Sequence, residues 1–195
     1  MEIQVLPYLR IDGIPTFRDS QMLAFYDKME RDGVAGEVFC DGEIGSRDEF
    51  LIAMTQQRNM FYAVRSGDVF VGVAWLNNFY GKTAQAHFVC FSEAWGKKSV
   101  EAMRHALNEL IHLRKDGGYA FDVFLGWVPS ANERAIEFCR KCGGVADTVV
   151  PHAICDVRTG KSVDAVLVYY TREEFRRSEH PRDLYGLGAT RGPNS

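Results

Sequence analysis

Residues 91–100, FSEAWGKKSV, contain a group of side chains and backbone amides suited to binding an anion. The first turn of a predicted helix holds Gly96, Lys97, Lys98 and Ser99. The first N–H groups of a helix lack partners within it and lie at the positive end of its dipole, so they favour phosphate. The two lysines add positive charge. The segment predicts an anion-binding turn; the alternative is an ordinary solvated surface.

Residues 127–144, WVPSANERAIEFCRKCGG, read as the end of a strand, a turn and a short amphipathic helix. Pro129 and Ser130 end the strand. A side-chain oxygen of Ser130 or Asn132 can cap the helix by accepting a backbone N–H. The apolar positions recur at helical spacing and are predicted to face the core; they are Ala135, Phe138, Cys139 and Cys142.

The pair Cys139-x-x-Cys142 has two further interpretations besides small core residues. A zinc site would need His152 or Cys155 to join the pair, since one pair of thiols is too few ligands. A redox pair is disfavoured because these cysteines lie at the end of a helix rather than its start. The sequence therefore favours core packing, and no metal is expected.

The elements that position these segments follow from the period of the apolar residues. Residues 2–10 form a first strand and 33–45 an acidic loop, while Ser20 caps one early helix and Ser46, with Glu49, caps another. The remaining predicted elements are helices over 20–31, 46–57, 96–113 and after Asn132, and strands over 60–65, 69–79, 84–91, 121–128, 145–157 and 163–170. This order predicts an α/β fold with a central twisted mixed sheet and helices on both faces.

Size and composition set broad limits on this protein. With 195 residues the chain can form one domain, predicted over residues 1–175, followed by a flexible C-terminal tail over 176–195. A net charge of −3 disfavours a broad nucleic-acid surface. No apolar run is long enough to cross a bilayer, and the N-terminus lacks the features of a signal peptide, so we expect a cytoplasmic protein with reduced cysteines and no membrane partner.

Together, the two segments resemble the GCN5-related N-acetyltransferase (GNAT) family. In that family a strand leads into a phosphate-binding turn and helix, and the next strand and helix carry N-x-x-A-x-x-[FL]-[YC]-x-x-x-G. The matching residues here are Asn132, Ala135, Phe138, Cys139 and Gly143. The resemblance, including the order of elements, extends over residues 2–172.

The resemblance implies that two central strands, 84–91 and 121–128, part to admit the pantetheine arm of acetyl-CoA. The pyrophosphate would lie on the amides of residues 95–99, which adds Trp95 to the cofactor-binding residues. Asn132 would contact the pantetheine arm. Backbone N–H groups near Cys90 and Phe91 would stabilise the oxyanion of the tetrahedral intermediate.

The chain departs from the family pattern at three positions. The phosphate turn usually reads Q/R-x-x-G-x-G/A, and either register of this sequence keeps a single glycine. Cys139 stands where the family commonly has a tyrosine that protonates the departing thiolate. A thiol can donate that proton, and Tyr169 or Tyr170 are alternative donors; the other reading of Cys139 is a buried core residue.

The third departure concerns the general base. The family often has a glutamate on or near the strand before the phosphate turn, whereas that strand here has His87. A neutral imidazole suits removal of a proton from an amine. The alternatives are that His87 is structural or that Glu93 is the base.

The expected partners are a CoA thioester and an amine acceptor, and a homodimer is compatible with the sequence. The acceptor would lie near the early helices, where an acidic rim would attract a cationic amine; its residues are Glu37, Asp41, Glu43, Asp48 and Glu49. A solvated loop is the alternative. The sequence thus predicts an acetyl-CoA-dependent N-acetyltransferase, with a non-catalytic binding protein on the same scaffold as the second hypothesis.

Overall fold

The computed structural model describes residues 2–179. Eleven strands are present in this part of the chain: β1 (Ile3–Pro7), β2 (Arg10–Ile11), β3 (Ile14–Pro15), β4 (Met60–Ser66), β5 (Val69–Tyr80), β6 (Thr83–Cys90), β7 (Arg114–Lys115), β8 (Gly118–Tyr119), β9 (Val123–Pro129), β10 (Val145–Asp156) and β11 (Lys161–Thr171). The α-helices in the same residues are α1 (Asp19–Arg31), α2 (Ala35–Val38), α3 (Arg47–Met54), α4 (Lys97–Ile111), α5 (Glu133–Lys141) and α6 (Arg172–Glu179).

Seven strands form one sheet in the order β1-β4-β5-β6-β9-β11-β10. Neighbouring strands pair antiparallel except β6 and β9, which pair parallel because α4 forms the crossover between them. The two short hairpins, β2-β3 and β7-β8, lie outside this sheet.

Helices cover both faces of the sheet, as the sequence predicted. On one face α1 and α3 bury a mainly aromatic layer that includes Phe25, Phe50 and Trp75. On the other face α4 and α5 bury a second layer that includes Leu107 and Phe124. Each layer follows from alternation along the strands, since successive side chains point to opposite faces.

Three local predictions were wrong by a few residues. The strand predicted over 2–10 ends as β1 at Pro7, and β2 begins separately at Arg10. Helix α1 begins at Asp19 with Arg18 as its N-cap, and the Arg18 N–H donates to the Gln21 side chain at 2.9 Å, so Ser20 is inside the helix rather than its cap. The predicted loop over 33–45 contains the short helix α2. Helices of one turn give no periodic signal in a sequence.

The predicted cap at Ser46 is confirmed, whereas the start of the predicted flexible tail falls within a helix. Ser46 accepts the Glu49 N–H at 3.3 Å, and the Glu49 carboxylate accepts the N–H of Gly45, one residue before the predicted partner. Helix α6 reaches Glu179, the last described residue. The rest of the predicted tail over 176–195 lies outside the described residues.

No helix within residues 2–179 combines the length and apolarity needed to span a membrane.

Candidate functional site

Strands β6 and β9 part after three residue pairs. Their register runs from Thr83 opposite Val123 to Gln85 opposite Leu125. The rest of each strand continues without pairing to the other, while β6 keeps its partner β5 and β9 keeps its partner β11. A gap therefore opens between two central strands, at the strands that the sequence predicted. We call this opening the cleft, and the Gln85 end its vertex.

The backbone of β6 offers unpaired polar groups along the cleft. In an antiparallel pair, hydrogen-bonded residues alternate with residues whose N–H and C=O groups point away from the partner. Phe91 donates its N–H to the Val71 carbonyl at 3.0 Å, so its amide faces β5. The alternation then directs the N–H groups of Phe88 and Cys90 toward the cleft. The prediction of an oxyanion-binding amide at Phe91 is therefore wrong, whereas Cys90 keeps that orientation.

The start of α4 has backbone amides that no side chain caps. Its N-cap, Gly96, has φ 99° and ψ −145°, a conformation that residues with a side chain rarely adopt. No side chain caps the described helix start, and a Cβ added at Gly96 would meet nothing within 4 Å. The hydroxyl of Ser99 donates back to the Gly96 carbonyl at 2.7 Å, so it does not cap an amide of the helix start. Gly96 thus supplies the close backbone approach for which the family pattern uses a glycine.

The turn before α4 is held against α1. Ser92 donates its N–H and its hydroxyl to the Asp32 carboxylate at 2.7 and 2.8 Å. Glu93 forms ion pairs with Lys28 and Arg31. These contacts engage Glu93 in structural bonds, which disfavours it as the general base and favours His87.

The two lysines of the turn differ in their contacts. Lys97 is 91% exposed and lies 3.7 Å from the Glu101 carboxylate. Lys98, also in the first turn, forms no ion pair within residues 2–179, so its charge is available at the helix start.

Trp95 and Arg134 meet between the turn and α5. The Trp95 indole N–H donates to the Cys90 carbonyl at 3.1 Å, which fixes the ring beside the end of β6. The Arg134 guanidinium lies 4.9 Å from the centre of the same ring, in a cation–π contact. Sequence reasoning placed Trp95 in the site and missed Arg134, because the contact joins two elements that are distant in sequence.

Asn132 is the N-cap of α5. Its side-chain oxygen accepts the Ala135 N–H at 3.0 Å, which decides between the two predicted caps in favour of Asn132. The cap uses only the amide oxygen, so the NH₂ group keeps its donors. The predicted contact between Asn132 and a pantetheine arm stays a prediction.

Cys139 lies on the buried side of α5, is 6% exposed and contacts the Tyr170 side chain. Burial raises the pKa of the Cys139 thiol, and it also raises the pKa of Cys90 to about 12. Both groups are protonated thiols at neutral pH. Burial likewise raises the pKa of Tyr170, whose hydroxyl has no hydrogen-bond partner of normal geometry among the described residues.

His87 lies two residues beyond the last β6–β9 pair, on the face of the sheet covered by α1 and α3. Its ring stacks on Trp75, with centroids 4.8 Å apart and the planes 2° from parallel. Its Nε2 is 3.0 Å from the Asn77 side-chain oxygen. Burial lowers the pKa of His87 to about 4, so the imidazole is neutral at physiological pH.

The remaining cysteines do not converge on a metal site. Cys139 and Cys142 are buried in the core, whereas Cys155 is exposed on β10. Across residues 2–179 no three side chains of His, Cys, Asp or Glu are arranged to hold a metal ion.

Several side chains of the predicted acidic rim are engaged in local structure. Glu37 pairs with Arg158 at 2.5 Å. An Asp41 oxygen accepts the Glu43 N–H at 3.1 Å, and Glu49 is occupied at the start of α3. Asp48 lies exposed in the first turn of α3. Local bonds therefore explain the positions of part of the acidic cluster, and no ligand is needed to explain them.

The architecture matches solved structures of spermidine N-acetyltransferase from Vibrio cholerae. One, in complex with CoA and spermine, has a TM-score of 0.62 and 14% identity, covering 89% of this chain and 98% of that chain. A second, dodecameric structure has a TM-score of 0.60 and 12% identity, covering 89% and 95%. The chain therefore has the GNAT-like fold, at identities that establish the fold alone. No protein-family model matches the chain, and no curated protein matches it either.

Proposed function

We propose that this protein is an acetyl-CoA-dependent N-acetyltransferase. The observation that carries the proposal is the parting of β6 and β9 after Gln85 and Leu125, directly beside a helix start with unpaired amides. An extended ligand with a phosphate at one end fits a cleft with exposed backbone along one wall and a helix N-terminus at its mouth. CoA thioesters have this form.

The binding residues divide by the part of the ligand they would meet. Phe88 and Cys90 would offer backbone groups to the pantetheine arm, and Asn132 an amide from the other wall. Pyrophosphate would lie on the amides of Gly96, Lys97, Lys98 and Ser99. The predicted contribution of the Trp95 amide is wrong, because this N–H donates to the Ser92 carbonyl at 3.2 Å; Trp95 would contribute through its ring. The absence of a Cβ at Gly96 allows phosphate to approach the backbone closely.

The proposed reaction is direct attack of an amine on the thioester. The amine nitrogen forms a bond to the carbonyl carbon, the Cys90 N–H stabilises the oxyanion, and the carbon–sulfur bond then breaks. His87 accepts the proton that the amine loses. The departing thiolate takes up one proton, for which the Cys139 thiol and water are the two candidate sources. Positioning of both substrates supplies much of the rate.

The proposed acceptor is a polycationic molecule on the α1–α3 side of the sheet, whose attacking nitrogen loses one proton to solvent and reacts as the neutral amine. The exposed carboxylate of Asp48 and the remaining acidic side chains of that side support a positively charged acceptor. The neighbours in structure are spermidine N-acetyltransferases, so polyamines belong among the first acceptors to test. A homodimer and a cytoplasmic location stay predictions.

Thiol release from acetyl-CoA across a panel of polyamines, monoamines and peptides tests the proposal. We expect release that depends on both acetyl-CoA and one class of amine. No release above background across the panel, with weak or absent binding of acetyl-CoA, would favour the non-catalytic binding protein with weakened or lost CoA binding, a hypothesis supported by the single glycine in the phosphate turn. A variant with His87→Gln is the matched control, since it keeps the cleft and removes the proposed base.

A further inference from the structure

Three side chains at the vertex of the cleft form a fixed group on neighbouring strands. Trp75 and Asn77 lie on β5, and His87 lies opposite Trp75 on β6. Trp75 is 2% exposed and covers one face of the imidazole, with the two rings parallel. The Asn77 oxygen contacts His87 Nε2 at 3.0 Å. The ring is therefore held by a stacking contact and by a hydrogen bond at one nitrogen.

The hydrogen bond determines which nitrogen carries the proton. A neutral imidazole has one donor nitrogen and one acceptor nitrogen, and an amide oxygen only accepts. With the Asn77 oxygen facing Nε2, Nε2 must donate, so Nδ1 carries the lone pair.

The next residue of β5 has a different partner. The side-chain NH₂ group of Asn78 donates to the Gln85 side-chain oxygen at 2.8 Å, and Asn78 makes no hydrogen bond with His87. Asn78 also has φ 47°, a conformation that glycine adopts without cost. Asn77 and Asn78 thus form a natural pair for comparison, because only one of the two amides contacts the imidazole.

We propose that Asn77 is a positioning residue that holds His87 in the Nε2–H tautomer, leaving Nδ1 as the atom that accepts the proton of the attacking amine. The proton-transfer part rests on the acetyl transfer proposed above. In that step the amine lone pair forms the carbon–nitrogen bond, its proton moves to Nδ1, and the sulfur leaves with the electron pair of the broken bond. The imidazolium then returns its proton to solvent.

Nitrogen-15 NMR of the histidine rings tests the tautomer without any substrate. The His87 signals are assigned by their loss in His87→Gln, and long-range ¹H–¹⁵N correlations distinguish protonated from unprotonated ring nitrogens. We expect the Nε2–H pattern in the unmodified protein, a mixed pattern in Asn77→Ala, and an unchanged pattern in Asn78→Gly. An Nδ1–H pattern in the unmodified protein, or no change in Asn77→Ala, would overturn the proposal.

Kinetics test the consequence for the reaction. In Asn77→Ala we expect kcat to fall about 10-fold, a fraction of the roughly 10²–10⁴-fold that a general base contributes, with the KM for acetyl-CoA within about twofold. A raised KM with unchanged kcat would contradict a role in proton transfer. Absence of thiol release in every variant would overturn the proposed function, while the ring spectrum would still decide the tautomer.

Discussion

His87 is a partly buried histidine whose neutral form the fold favours. An exposed histidine has a pKa of about 6.5, and burial lowers the pKa of His87 to about 4. Between these two values the unfolded chain binds a proton that the folded protein does not. The free energy of unfolding therefore decreases as the pH falls from about 6.5 to about 4.

Substitution of His87 by Gln should remove this contribution. We expect the unfolding free energy of His87→Gln to fall less steeply over that pH range, by at most about 3 kcal/mol in total, measured by urea unfolding at several pH values. His105→Gln is the control, because the His105 side chain is 48% exposed. Parallel pH curves for His87→Gln and the unmodified protein would show that His87 titrates normally.

Cys139 has two candidate roles, as the proton donor to the departing thiolate and as a buried core residue. Its thiol is buried with a raised pKa, which weakens it as an acid. We expect kcat of Cys139→Ala, measured by thiol release, to stay within about threefold of the unmodified protein. Loss of a general acid would lower kcat by roughly 100-fold or more. Cys139→Tyr should lower stability by about 1–3 kcal/mol, because the larger ring would have to displace Tyr170. A large loss of kcat in a stable Cys139→Ala variant would make this thiol the proton donor.

The start of α4 is the element on which the proposed phosphate binding depends. Gly96 combines a left-handed φ with open space around its Cα. Substitution by Ala would strain the turn and place a methyl group beside the amides, so we expect acetyl-CoA affinity in Gly96→Ala to fall by at least about tenfold, roughly 1.4 kcal/mol, in calorimetric titration. Gly117→Ala, with φ 80° and equally open space, controls for strain alone. Equal affinities in both variants would mean that phosphate does not lie at this turn.

The contact between Trp95 and Arg134 joins the phosphate turn to α5 across the mouth of the cleft. Arg134 is exposed and supplies a guanidinium beside the predicted phosphate position. We expect Arg134→Gln to weaken acetyl-CoA binding severalfold and to reduce the dependence of affinity on salt concentration, because one cation near the phosphates is lost. Lys141→Gln, in the last turn of the same helix and paired with Glu137, should leave both unchanged. A salt dependence identical in the two variants would place Arg134 outside the binding site.

The longer elements were predictable from periodicity, and the short ones were not. Helix α5 and strand β9 follow from patterns repeated over several residues, and Asn132 was one of two predicted caps. The hairpins β2-β3 and β7-β8 are too short for any period to be visible. At α1 the cap depends on the Gln21 side chain, which outweighed the usual preference for serine.

At the scale of the whole molecule, the sheet with helices on both faces was predicted from the order of the elements, and the parting of its central strands was predicted through the family resemblance. The contacts that shape the site were not. The stacking of His87 on Trp75, the bond from Asn77 and the contact of Arg134 with Trp95 each depend on strand register or helix placement. One sequence does not reveal such registers, since alternation fixes which face a side chain occupies but not which residue lies opposite.

Thermal unfolding with and without acetyl-CoA tests the central claim, that the cleft between β6 and β9 binds a CoA thioester. At a ligand concentration about 100 times the Kd, binding stabilises the folded state by about 2.7 kcal/mol, which for a chain of this size raises Tm by roughly 5–10 °C. The account predicts a rise of this order that saturates with acetyl-CoA and that falls to about half or less in Gly96→Ala at the same ligand concentration. No rise at millimolar acetyl-CoA would contradict it.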